Sequence, residues 1–274
     1  MFGKLLKYDL RSMMKVFPLV WLAAVVLAFV NHFSLHYLTG AQLNGTLKFL
    51  GMVLPILIYV AIMVALAVMT LLLTIRRFYS GLLKDEGYLA FTLPVKTWQL
   101  IVSKALAATI VIVITAAAAL ISVLLISDWS DAVDFIKAFF KSLFNNEVFN
   151  AAQTGVLLAE AVILGILAIA QSVYKVYAAI SLGHLFNKHR AGWSVLMYLA
   201  INVVETIITT TVLSSLAADS GDWVTNLIRR IDASMDPFAF ACLAILGFCL
   251  ISVIRMAVYH VISERILSKR LNLE

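Results

Sequence analysis

Long apolar runs separated by short polar stretches dominate the chain. Six of them, residues 17–38, 50–73, 100–126, 155–185, 191–216 and 238–260, are long enough to cross a bilayer as helices, which takes ~20 mostly apolar residues each. Pro55 falls inside the second run, where a membrane helix tolerates it and a kink is expected. Asp236-Pro237 opens the sixth with a capping carboxylate and a proline at the first helical position. Ahead of the first run the pattern changes. Lys4, Lys7, Arg11 and Lys15 form one basic stripe, and Leu6, Leu10, Met13, Met14 and Phe17 form an apolar one. That spacing predicts an amphipathic helix over residues 1–16, lying in the membrane interface with its basic face toward anionic head groups. A plain basic flank would account for the charges but not for their spacing. Between the third and fourth runs, Phe135, Phe139 and Leu143 recur at four-residue intervals beside Lys137 and Lys141. A second surface helix is expected there.

The predicted fold is therefore all-α: a polytopic membrane protein with six transmembrane helices and an N-terminal interfacial helix. No repeat, low-complexity tract or linker is visible, so residues 1–274 read as one domain. Composition supports the assignment. Apolar residues make up 63% and charged ones 13%, against roughly 45–50% and ~25% in soluble domains. The mean hydropathy of +0.99 extends over the whole chain. A soluble domain, a disordered chain and a disulfide-stapled module are all excluded. A secretory signal peptide is a poor account of the first run, because Asn31-His32-Phe33 follows it in place of a small-x-small cleavage pattern.

The net charge of +6 is explained by orientation rather than by nucleic acid, for which no motif is present. On one side lie Lys4, Lys7, Arg11, Lys15, Arg76, Arg77, Lys84, Lys96, Lys188, Arg190, Arg265, Lys269 and Arg270. Only Lys48, Lys137, Lys141, Arg229 and Arg230 lie on the other. The positive-inside rule then puts both termini in the cytoplasm. Cys242 and Cys249 are seven residues apart in one run, about 10 Å along a helix and beyond disulfide reach. They read as packing thiols.

No catalytic signature is found: no H-E-x-x-H, no G-x-S-x-G and no Cys/His cluster at metal spacing. The chain is not expected to be an enzyme or to hold a metal or cofactor of its own. It also has no phosphate-binding G-x-x-x-x-G-K-[ST] loop, so energised work must draw on another subunit or an ion gradient. The five histidines, His32, His36, His184, His189 and His260, sit near run ends, where interfacial placement accounts for them. Ionisable groups inside a span are expensive and mark candidate sites. Glu205 lies near the centre of the fifth run among Asn202, Thr206, Thr209, Thr210 and Thr211. Gln171 and Lys175 share a face of the fourth run, with Glu160 nearer its outer end. Lys175 is only about 5–6 Å shallower than Glu205, so an ion pair is within reach. Two other arrangements stay open: Lys175 snorkels to the surface, or Glu205 is protonated and bonded to a threonine. Arg255, about 9 Å from the centre of its run, is expected to snorkel.

The stretch 76–98 is the longest between runs on the inner side. It is strongly apolar for a water-facing loop, with Phe78, Leu82, Leu83, Leu89 and Phe91 interleaved with charges. Gly87 suits the end of a short helix, and Leu93-Pro94 turns the chain back. Such a segment is either a docking surface anchored by aromatics or an interfacial helix in lipid. Its core, F-Y-x-x-L-x-x-D-E-G-Y-L-x-F-T-L-P-V followed by Gln99-Leu100-Ile101-Val102-Ser103-Lys104, resembles permease subunits of type-2 ABC transporters from Gram-positive bacteria. Ala90 departs from a position that is commonly polar. The resemblance is specific over about a tenth of the chain; residues 127–274 share only hydropathy with the family.

That resemblance implies a coupling helix in the loop, seated in a groove of a separate cytosolic ATPase that binds ATP and magnesium. It implies two permease copies, identical or related, with the first and fifth spans near their seam, in the cytoplasmic membrane of a bacterium. Carried onto this sequence, Lys84, Asp85, Glu86, Gly87, Tyr88 and Leu89 become the expected ATPase contacts, flanked by Phe78 and Tyr79. Family substrates range from peptides to lipids, glycans and drugs. The competing expectations are a non-transporting membrane subunit that senses stress or anchors a partner, and a proton-coupled carrier using Glu205.

Overall fold

The computed structural model describes residues 2–15, 17–40, 44–83, 95–127, 129–144, 149–186, 189–217 and 236–269. They form eight helices: α1 (Phe2–Met13), α2 (Phe17–Gly40), α3 (Gly45–Leu83), α4 (Thr97–Leu124), α5 (Trp129–Phe144), α6 (Ala151–Gly183), α7 (Arg190–Ala217) and α8 (Pro237–Lys269). Six of them, α2, α3, α4, α6, α7 and α8, are long and apolar enough to cross a membrane. The chain is an all-α, multi-pass membrane protein.

Each expected run coincides with one of these six to within a few residues, but two helices extend well past their apolar stretch. At 1.5 Å per residue, the 39 residues of α3 cover about 58 Å, and the 33 residues of α8 about 50 Å. Apolar content defines the span, while the helix continues until something stops it. Nothing in Thr74-Ile75-Arg76-Arg77-Phe78-Tyr79 does. The segment read as a loop from residue 76 therefore begins as the last two turns of α3, to Leu83. Residues 84–94 lie outside the described residues.

The helices group into two compact units. The first holds Met1–Phe78 and Val102–Ser142, the second Tyr79–Ile101 and Leu143–Glu274. The divisions fall inside α3 and α4, where a sequence has no linker to show. In the first unit, polar side chains staple apolar helices. Pro55 has no N–H, which leaves the Gly51 carbonyl on α3 without its helical donor, and Ser34 Oγ on α2 donates to that oxygen at 2.5 Å. Asn31 Nδ2 donates to the Pro55 carbonyl at 3.1 Å. Trp21 Nε1 reaches Thr115 Oγ1 on α4 at 3.3 Å, and the Tyr59 and Ser122 hydroxyls are 2.8 Å apart. With no water in the bilayer core, such groups must find partners on neighbouring helices.

α1 presents Lys4, Lys7 and Arg11 outward and buries Met13, as its two stripes predict, with Lys15 exposed in the turn that follows. α5 is likewise amphipathic, with exposed Phe135 and Phe139 and a Lys137–Asp134 pair at 3.5 Å. In the second unit α6 packs against both α7 and α8. A Cβ at Gly183 would collide with the Ser194 backbone, so only glycine allows α6 to end this close to α7. The Phe186 and Trp193 rings stack across that turn with centroids 4.1 Å apart.

Candidate functional site

A polar centre joins the three helices of the second unit. α6 supplies Lys175, α7 supplies Asn202 and Glu205, and α8 supplies Arg255 and Tyr259. Lys175 Nζ donates to Glu205 Oε2 at 2.5 Å and to Asn202 Oδ1 at 3.2 Å. The Tyr259 hydroxyl donates to Glu205 Oε1. Asn202 is itself oriented by donating from Nδ2 to the Tyr198 carbonyl at 2.7 Å. Both carboxylate oxygens are thus engaged, and the paired arrangement, one of the three left open by the sequence, is the one found. Thr206 and Thr210 donate instead to carbonyls of their own helix, so no threonine bonds Glu205 among the described contacts.

Arg255 does not snorkel, which corrects the expectation from sequence. Its Nη2 donates to Thr209 Oγ1 at 3.2 Å, and Nη1 lies 4.0 Å from Glu205 Oε1. The reason is its partner: Thr209 is one turn farther than Glu205 from the Arg190 end of α7, so the guanidinium turns into the helix pair rather than toward the nearer membrane surface. Two cations therefore face one carboxylate. Between α7 and α8, beside Arg255, Glu205 and Tyr259, lies a cavity of about 460 Å³ with otherwise aliphatic walls.

The remaining intramembrane candidates stand apart from this centre. Gln171, one turn from Lys175, is half-buried and outside the hydrogen-bond set. Glu160 meets the Cys242 thiol of α8, a contact the sequence did not suggest. Its Oε2 is buried without a hydrogen-bond partner.

A second charged centre was missed from sequence. Asp9 on α1 is only 3% exposed. Its Oδ1 accepts from Arg77 Nη2 at 2.9 Å, from Arg77 Nε at 3.2 Å and from Lys104 Nζ at 3.3 Å. Its Oδ2 accepts from Ser103 Oγ at 3.1 Å. The Arg77 guanidinium also sits over the Tyr8 ring, 5.5 Å from its centroid. The available signal was one carboxylate on the apolar side of a basic helix, in line with Met13. Its partners are 68 and 95 residues away in sequence, so nothing local identified them.

Of the expected ATPase contacts, Lys84, Asp85, Glu86, Gly87, Tyr88 and Leu89 lie outside the described residues. Phe78 is fully buried, as are Leu82 and most of Leu83. This corrects their assignment to a water-facing surface: residues 78 and 82 are one helical turn apart on α3, and that face turns inward. Tyr79 is half-buried, its ring 5.1 Å from that of His184 at the end of α6. Burial, and secondarily the Arg190 charge, hold the His184 imidazole below its ordinary pKa. Among the described residues no group of three or more His, Cys, Asp or Glu side chains could hold a metal ion.

These features define a class: a multi-pass helical membrane protein with a hydrogen-bonded charge centre between three of its spanning helices. Comparison with protein-family models, curated proteins and solved structures finds no match.

Proposed function

We propose that the chain is the permease subunit of an ATP-driven exporter of the type-2 ABC class. It resides in a bacterial cytoplasmic membrane with both termini inside, beside a second permease copy. It binds no nucleotide itself; ATP and magnesium belong to a separate cytosolic ATPase docked on residues 84–94. The observation that carries this reading is the D-E-G-Y-L-x-F-T-L-P run at residues 85–94 between α3 and α4. Supporting it, α1 is tied by Asp9 to both helices that flank that run, at Arg77 and Lys104. Such a frame transmits a push on the loop to the spans. The carrier alternative draws less support, because a proton-exchanging Glu205 would have to release donors from both of its oxygens.

The test is retention of the cognate ATPase in mild detergent by the wild type and by Tyr88→Ala/Leu89→Ala. The double variant should express and fold normally yet lose the ATPase, or uncouple its turnover from transport. Equal retention with turnover still following substrate would exclude this loop as the coupling element and leave the lipid-facing helix as its explanation.

A further inference from the structure

We infer that the groove between α7 and α8 binds a hydrophobic organic anion, with an aliphatic body along its walls and a carboxylate or phosphate at Arg255. As a statement about cargo this rests on the exporter reading; as a statement about binding it stands alone.

Lys175 and Tyr259 occupy the two oxygens of Glu205, the one carboxylate in this centre. Arg255 is left 4.0 Å away, with one hydrogen bond at 3.2 Å, to a neutral threonine. A guanidinium carries five N–H donors in a fork matched to carboxylate and phosphate. An intramembrane cation without a full counter-ion is costly, and a bound anion relieves that cost. Arg255 is also accessible, its side chain 36% exposed where it lines the cavity. A cationic ligand would be repelled by the surplus charge, and a neutral one would leave it uncompensated.

Shape supplies the second half. The volume of about 460 Å³ lies within the size range of ligand pockets. Ile201, Val204 and Ile208 on α7 face Ile254, Val258 and Ile262 on α8. Val204, Ile208 and Ile254 are each more than half exposed, so the groove is open along its side, where a hydrophobic molecule can enter from lipid. An aliphatic body therefore finds matching walls, and its anionic end finds Arg255.

The test uses the purified full-length permease, without any ATPase, in an uncharged detergent. Dodecyl phosphate, dodecanol, dodecyltrimethylammonium and inorganic phosphate are compared by the ligand-dependent rise in unfolding midpoint. Dodecyl phosphate should bind about tenfold tighter than dodecanol, with the ammonium compound weaker still. Arg255→Gln should bring phosphate and alcohol to parity, and Arg255→Lys should restore part of the difference. Val204→Trp fills the groove without altering its charges and should weaken dodecyl phosphate binding, which keeps the test decisive if Arg255→Gln does not fold. Equal binding of all three dodecyl compounds would overturn the inference. So would an Arg255→Gln or Val204→Trp protein that binds dodecyl phosphate like the wild type. A response to inorganic phosphate as large as that to dodecyl phosphate would reduce the site to a simple anion site and overturn the hydrophobic part. With no ATPase present, loss of binding leaves ATPase docking untested, and failure of the pull-down leaves the binding result standing.

Discussion

Replacing Asp9 by alanine should be among the most damaging single changes outside the spanning helices. The substitution removes the shared acceptor of Arg77, Lys104 and Ser103 and leaves two cations facing each other. Their side chains are 19% and 8% exposed, so Arg77 can turn partly to water and Lys104 cannot. Breaking a buried ion pair from one side costs ~3–5 kcal/mol. Lys104→Met should cost less in the Asp9→Ala background than in the wild type, because the ion pair it would break there is already gone. The two substitutions are expected to be non-additive by about 1–3 kcal/mol. Unfolding of the four proteins by sodium dodecyl sulfate in mixed micelles, followed by tryptophan fluorescence, measures this cycle. A cost of Lys104→Met as large in the Asp9→Ala background as in the wild type, or a cost of Asp9→Ala below about 1 kcal/mol, would refute this account of the cluster. Either outcome would mean that apolar packing alone holds α1.

A cysteine placed at Lys137 on α5 should react with an impermeant reagent added outside intact cells, and one at Lys188 should not; labelling of Lys188 from outside would reverse the orientation and remove the ATPase argument. Glu205→Gln alone should reduce assembly or transport more than Glu205→Gln with Lys175→Met, because the single variant leaves two intramembrane cations, Lys175 and Arg255, without their carboxylate and the double leaves one; equal or greater damage in the double variant would refute the mutual dependence of Lys175 and Glu205. His184, whose pKa is lowered in the folded protein, stays neutral there while its unfolded form protonates near pH 6.5. Its contribution is intact above that pH and is lost as pH falls toward the folded-state pKa. His184→Gln should therefore flatten the decline in unfolding midpoint on the acid side of pH 6.5; an unchanged profile would assign that decline to other groups.

The spans were legible because hydropathy over ~20 residues is a local property. The amphipathic α1 was legible from the placement of Lys4, Lys7, Arg11 and Lys15 for the same reason. The Lys175–Glu205 pair could be reached as one of several arrangements, since helix rise alone sets the depth of each residue along its span. Azimuth was not available that way. Which face of α8 meets α7 decides that Arg255 turns to Thr209, and which face of α3 turns inward decides that Phe78 and Leu82 are buried. Both depend on packing between distant segments. Helix ends were hidden as well: past Leu73 the chain becomes polar enough to leave the membrane, but it holds no residue that breaks a helix. Asp9 was hardest to interpret because a carboxylate on a basic surface helix satisfies its neighbours Lys7 and Arg11 equally well on paper.

The two charged centres have the same formal composition, two cations and one carboxylate, yet their surroundings give them different roles. Around Asp9 every group closes on another part of the protein. Arg77 divides itself between the carboxylate and the face of Tyr8, a cation–π contact that compensates part of the remaining charge. Lys104 is buried against Asp9. Such a cluster fixes α1 on α3 and α4, and its energy is realised in the resting structure. Around Glu205 the closure is incomplete: Lys175 and Tyr259 complete the carboxylate, while Arg255 faces a cavity. Because the first centre leaves nothing exposed to recognise, a substitution there should act on stability before it acts on ligand binding. The second holds a cation that opens onto a cavity, so neutralising Arg255 should remove binding selectivity while disturbing folding less than the loss of Asp9 does.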